Sequence, residues 1–124
     1  MNITPLRAAI IGCGVISDIY IQSLQNKFKI IDVVACFDLN EDKMANTANN
    51  YHLRAMSYEA ILADDQIQMI INLTNPKAHY DVIKQALEHH KHVFSEKMIA
   101  VNLEDGQELC QLAKENHVRL GVAP

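Results

Sequence analysis

The sequence predicts an α/β fold: a doubly wound parallel sheet of about six strands in the order 3-2-1-4-5-6, carried by one domain over residues 1–124. Three observations predict it. Short apolar, β-rich runs alternate along the chain with stretches whose apolar residues recur at helical spacing. The first strand-to-helix turn is the glycine pattern G-x-G-x-x-S, Gly12-Cys13-Gly14-Val15-Ile16-Ser17. The second apolar run ends in an acid, Asp38, about 20 residues beyond the third motif position. Strands alternating with helices in this way form a parallel sheet covered on both faces, and right-handed crossovers favour the stated order.

Residues 8–11 (AAII) form the first strand, and Ile16, Ile19, Tyr20, Ser23 and Leu24 give the following helix its apolar spacing. Between them, Gly12 permits the tight turn. Gly14 has no side chain, so a pyrophosphate can approach the backbone at a helix N-terminus, where free N–H groups and the dipole favour an anion. Ser17 is small enough for strand and helix to pack closely. Residues 30–37 (IIDVVACF) are the second strand. Asp38 then lies where a carboxylate reaches the adenosine ribose hydroxyls of NAD and repels the 2′-phosphate of NADP. The same acid could serve only as a turn or helix-capping residue.

The remaining elements follow in order. Asn40 caps a helix with Glu41 and Asp42 in its first turn and Met44, Ala45, Ala48 and Tyr51 on its apolar side. A short third strand is expected at 53–56, then a brief helix from Ser57 with Ile61 and Leu62 inward. Residues 68–73 (QMIINL) are a fourth strand, apolar enough to be covered on both faces. It runs into Thr74-Asn75-Pro76, and Pro76 suits a first helical turn. Val82, Ile83, Ala86 and Leu87 mark that helix. Residues 92–95 are the fifth strand, 103–116 a helix with Leu109, Cys110 and Ala113 inward, and 118–122 the sixth strand.

Composition narrows the function. Net charge is −4, with 49% hydrophobic and 21% charged residues. The basic residues are scattered, which argues against a nucleic-acid partner. No apolar run approaches membrane-span length, and the amino-terminal residues 1–5 carry no leader pattern, so a cytoplasmic protein is expected. Cys13, Cys36 and Cys110 lack paired spacing and read as reduced thiols. The cluster His89-His90-Lys91-His92 suits cations at a helix C-terminus better than a metal site, so no metal is expected. His79 stands apart, one turn into the helix after the fourth strand and near the sheet edge where ligands bind. Ser95-Glu96-Lys97-Met98 follows the fifth strand directly. A lysine there projects into the crevice above the sheet and can stabilise developing alkoxide charge; a solvated surface pair is the plainer alternative.

These stretches together resemble the N-terminal domain of the glucose–fructose oxidoreductase, inositol dehydrogenase and MocA (Gfo/Idh/MocA) family, over nearly the whole chain. GCGVIS resembles its glycine loop and CFDLN its second-strand acid. In INLTNPKAHYDVIKQALEHHKHVFSEKM, Thr74, Pro76 and His79 match the family's T-x-P-x-x-H. Ala86, Leu87, Lys91, His92 and Val93 match its A-L-x-x-G-K-H-V, and Glu96 and Lys97 match its E-K-P. His90 replaces the family's glycine and Met98 its proline.

The resemblance implies a Rossmann fold that binds a nicotinamide dinucleotide through Gly12, Cys13, Gly14, Val15 and Ile16, through Asp38 and Leu39, through Thr74, Asn75, Pro76 and His79, and through Glu96 and Lys97. Lys97 is the catalytic candidate, shared by nicotinamide and substrate, with Glu96 orienting it. NAD is expected in preference to NADP. The reaction implied is hydride transfer with a sugar, polyol or related alcohol, in a full-length homo-oligomer whose second α/β domain carries the substrate pocket and the proton-transfer residue. That domain is expected to be absent from this chain, leaving the fragment inactive alone. A stand-alone nucleotide-binding or sensing module is the alternative, with a methyltransferase a distant third.

Overall fold

The computed structural model describes residues 4–27 and 29–124; Met1, Asn2 and Ile3, part of the expected domain and of the stretch without a leader pattern, lie outside them. Among the described residues, six strands and five helices alternate as β1 (Leu6–Ile11), α1 (Val15–Lys27), β2 (Ile31–Phe37), α2 (Glu41–Tyr51), β3 (Arg54–Ala55), α3 (Tyr58–Ala63), β4 (Met69–Asn72), α4 (Pro76–Glu88), β5 (His92–Ser95), α5 (Leu103–Glu115) and β6 (Leu120–Val122). All pairings are parallel and the sheet order is β3-β2-β1-β4-β5-β6, as the alternation predicts.

The buried parts of the central strands are mostly apolar because both their faces are covered. In β1, Ala9 and Ile11 join the core shared with Ile61 and Leu62 of α3, Ile83 and Leu87 of α4, and Leu109 of α5. Ala8 and Ile10 point the other way, toward Ile21 of α1 and Ala48 of α2. The buried stripe of α4, His79, Ile83, Ala86 and Leu87, has the i, i+4, i+7, i+8 spacing of a core-facing helix. Full burial of Ile83 and Leu87 contributes about 1.5–3 kcal/mol each.

The helix starts follow local chemistry. The Asn40 side chain accepts from the Asp42 and Lys43 amides, Ser57 from Ala60, and Asn102 from Asp105. Helix ends explain half of the histidines. His52, His90 and His117 all have φ near +60°, at or just beyond the C-termini of α2, α4 and α5. At α4, the His90 amide donates to Leu87 O at 3.0 Å and the Lys91 amide to Ala86 O at 3.0 Å, the paired bonds of a left-handed helix terminus. Histidine thus takes the conformation that glycine adopts at lower cost. Lys91 is turned inward, 4% exposed, and its Nζ donates to Asp64 O at 2.7 Å and Ile67 O at 2.6 Å. It ties the α3–β4 turn to the start of β5, and burial lowers its pKa.

Several sequence expectations need correction. Cys110 is exposed on α5, whose inward residues are Leu109 and Ala113. On α1 the buried residues are Ser17 and Ile21, whereas Ile16 and Ile19 are 41% and 63% exposed. With Ser17 and Ile21 on the packed side of the helix, Ile16 and Ile19 fall on its outer side. β3 shrinks to two exposed residues at the sheet edge; Leu53 is buried but lies outside it, and Met56 is likewise beyond it. β1 begins two residues earlier than expected, while β2 and β4 are trimmed and β6 begins at Leu120.

Candidate functional site

The sheet reverses its winding between β1 and β4, and loops leaving the carboxyl ends of β1, β2, β4 and β5 bring the expected site residues to one edge. This is the crevice in which open α/β sheets bind ligands.

The two loop glycines answer different demands. Gly12 has φ +100°, and a Cβ built on it would lie 2.7 Å from both the carbonyl carbon and the oxygen of Leu73. Its amide donates to Phe37 O at 2.8 Å, so the chain must pass here between β2 and β4. Folding alone therefore requires this glycine. Around Gly14 a Cβ would meet nothing within 4 Å. Packing leaves open space there, immediately before the first residues of α1, whose N–H groups have no intrahelical acceptor. The Ser17 hydroxyl and amide both donate to Gly14 O, at 2.6 and 3.1 Å, and fix the start of the helix.

Asp38 is joined directly to this loop. Its Oδ2 accepts from the Cys13 amide at 2.7 Å and its Oδ1 from the Asn40 amide at 2.8 Å. The carboxylate thus holds the glycine loop against the end of β2, and each oxygen keeps a further lone pair for a ligand donor. Asp38 is half-buried, whereas Leu39 is 91% exposed. Val15 and Ile16 are also exposed. Cys13 is buried, with its Sγ 3.5 Å from Phe37 O. The neighbouring Cys36 thiol lowers the Cys13 pKa, while Cys36 itself is pushed far up by Cys13 and by burial.

On the other side of the reversal, polar groups fix the loops after β4 and β5. Asn72, fully buried, donates from Nδ2 to Ser95 Oγ at 3.1 Å, and its Oδ1 accepts from the Thr74 hydroxyl at 2.6 Å. Ser95 in turn donates to Glu96 O at 2.8 Å, and the Glu96 amide donates to Asn72 O at 3.1 Å. Thr74 is half-buried; Asn75 and Pro76 are exposed, with Asn75 at the N-cap of α4 and its side chain outside any capping bond. His79 is 1% exposed, and its two ring nitrogens lie 2.7 Å from Met98 O and 2.7 Å from Thr74 O. It straps the two loops from beneath. Glu96 is half-buried and Lys97 exposed, and the Lys97–Met98 peptide is cis.

Sequence reading missed Asn72, Ser95 and Tyr20 as site-building residues. The signal for Asn72 was a lone amide at the end of an apolar strand. The Tyr20 hydroxyl donates to Glu96 Oε1 across the sheet edge, a contact that no local pattern reveals.

A glycine loop tethered to a post-β2 acid, across a topological switch from a lysine-bearing loop, is the layout of a doubly wound dinucleotide-binding fold. The family model described as "Oxidoreductase family, NAD-binding Rossmann fold" (GFO_IDH_MocA) matches residues 6–123. The chain belongs to this family. Inositol 2-dehydrogenase of Salmonella typhimurium is 29% identical over 118 residues, which are 93% of this chain and 35% of that protein. The structure of biliverdin reductase from Synechocystis sp. PCC 6803, in complex with biliverdin and NADP+, is 27% identical with a TM-score of 0.89, covering 96% of this chain and 38% of that one. WlbA dehydrogenase from Bordetella pertussis, in complex with NADH and UDP-GlcNAcA, shares the fold at 24% identity and a TM-score of 0.91, over 99% of this chain and 36% of that one. The chain therefore spans about a third of the length of the Gfo/Idh/MocA relatives it matches. It carries the family's NAD(P)-binding fold, and among the described residues no helix is long and apolar enough to cross a membrane.

Proposed function

We propose that residues 1–124 act as the NAD-preferring cofactor domain of an oxidoreductase for a polyol, sugar or related alcohol. The observation that carries this reading is the hydrogen bond from the Cys13 amide to Asp38, which couples the glycine loop to an acid facing the same crevice. Bound dinucleotide supplies the hydride acceptor or donor. Gly14 and the first amides of α1 receive the pyrophosphate, with Cys13, Val15 and Ile16 forming the loop around it. Asp38 accepts from the adenosine ribose hydroxyls with its remaining lone pairs, beside Leu39. Thr74, Asn75 and Pro76 line the nicotinamide side, and His79 holds that loop in place. Lys97 donates to the substrate oxygen and stabilises the negative charge that develops as its proton leaves, while Glu96 orients it. The polyol class draws support from the likeness to inositol 2-dehydrogenase.

This reading places Lys97 at the substrate oxygen and gives no further side chain of the chain the task of taking the substrate proton. The chain alone is accordingly expected to bind cofactor without turning over.

The preference rests on charge. An ionised Asp38 gains two hydroxyl donors from NAD but faces the 2′-phosphate of NADP as a like charge. Calorimetric titration should show NAD binding more tightly than NADP. In Asp38→Ala, NAD affinity should fall about tenfold or more, the loss expected for hydrogen bonds to a charged group, and the ratio should move toward NADP. Equal or tighter binding of NADP by the unaltered chain would contradict the assignment.

A further inference from the structure

We propose that Tyr20 is a positioning residue that clamps Glu96 and thereby aims Lys97, an assignment that rests on the role given to the Glu96–Lys97 pair above. Tyr20 lies in the second turn of α1, the helix that opens at Gly14. It therefore connects the loop on one side of the switch point with the loop on the other.

Two contacts define the clamp. The Tyr20 hydroxyl donates to Glu96 Oε1. Its ring packs against Phe94 with centroids 6.2 Å apart and planes at 50°. Phe94, in β5, packs on the α1 side of the sheet with Tyr20, and Glu96, just beyond the strand, is met by the same tyrosine. The ring also lines an apolar groove with Leu24, Ile71 and Phe94, in which the hydroxyl is the polar tip. The main chain of Glu96 is already fixed from the β4 side, through its amide to Asn72 O and its carbonyl from Ser95 Oγ. Tyr20 adds the missing restraint on the side chain. One carboxylate oxygen is then occupied and the other is left for Lys97 or a ligand, and Lys97 departs from a residue held at both ends.

The phenol remains a donor throughout the pH range in which such a site would work. Burial, then the adjoining Glu96 carboxylate, push its pKa up to about 12. A raised pKa means that the hydrogen bond is fully present below the ordinary tyrosine value of 10 and is lost as pH rises through about 12.

Tyr20→Phe tests this because it keeps the ring against Phe94 and removes only the hydroxyl. Backbone hydrogen exchange on the unliganded chain is the first readout. Exchange at the Glu96 amide, which donates to Asn72 O, should accelerate about three- to tenfold, matching the loss of one hydrogen bond, while β1 and β2 amides stay unchanged. Unaltered exchange at the Glu96 amide would overturn the clamp, whatever the chain binds. Calorimetry with NAD and with AMP is the second readout. The variant should bind NAD about three- to tenfold more weakly and AMP as before, because AMP does not reach the β5 loop. Equal NAD affinity in both proteins would overturn the positioning role. If the unaltered chain bound neither NAD nor AMP, the cofactor reading itself would fail, and the exchange data would still decide the clamp. In Glu96→Ala the hydroxyl of Tyr20 has lost its acceptor, so adding Tyr20→Phe should change amide exchange at position 96 no further; an additive effect would contradict the coupling.

Discussion

Gly14→Val should abolish dinucleotide binding and leave a folded protein. The two halves of this result have separate causes. Space around Gly14 is open, with nothing within 4 Å of a built Cβ, and its φ is not in the left-handed region, so the fold has no need of glycine at this position. A valine side chain would nevertheless project where a pyrophosphate must approach the backbone at the start of α1. Loss of affinity beyond about a hundredfold is expected, since a steric block removes the whole phosphate contact and not one bond of it. The thermal midpoint should shift little. Normal NAD binding by this variant would mean that the loop is a turn and nothing more.

Gly12→Ala should do the reverse and damage the fold first. Alanine at φ +100° is strained irrespective of its neighbours, and the added carbon would sit 2.7 Å from backbone atoms of Leu73, which cannot rotate away. Moving Leu73 would disturb the hydrogen bond its amide donates to Ile11 O at 2.8 Å, part of the junction between β1 and β4. Strain and overpacking together are expected to cost about 3 kcal/mol or more, a large part of the about 5–15 kcal/mol that a domain of this size possesses. Denaturant unfolding measures it. A variant within about 1 kcal/mol of the parent chain would show that the loop can relax and that the close approach is not a constraint.

The contrast between these glycines also shows what was legible in the sequence. The G-x-G-x-x-S pattern located both and gave Ser17 as the small packing residue, because spacing along a strand-turn-helix is local information. Strand order was legible for a similar reason: the alternation of β-rich and helical runs admits few right-handed arrangements. The same pattern gave Gly12 to the turn and Gly14 to the open approach; the close contact that forbids a side chain at Gly12 was not legible, since its atoms belong to Leu73, some sixty residues away.

Long-range polar contacts account for most of what the sequence concealed. Asn72 reads as the end of an apolar strand, yet its amide organises Thr74 and Ser95. Tyr20 reads as one more apolar helix position, yet its hydroxyl reaches Glu96. Periodicity reports the side of an element, not the polar partner waiting across the sheet. It also misplaced Cys110 and the exposed Ile16 and Ile19, because apolar residues can occupy solvent-facing positions and a small residue can mark the packed face. Histidines were hardest to read by composition. His52, His90 and His117 serve left-handed helix ends, and His79 bridges two main-chain carbonyls; these uses depend on backbone geometry.

Nitrogen–proton correlation spectra of the isotopically labelled chain, recorded as NAD is added, test the central claim most directly. Perturbed amides should cluster at Gly12 to Ile16, at Asp38 and Leu39, at Thr74 and Asn75, and at Glu96 and Lys97, while those of α5 and of the apolar groove near Leu24 stay still. Saturating NAD that perturbs no amide, or that perturbs a surface away from the carboxyl edge of the sheet, would contradict the account.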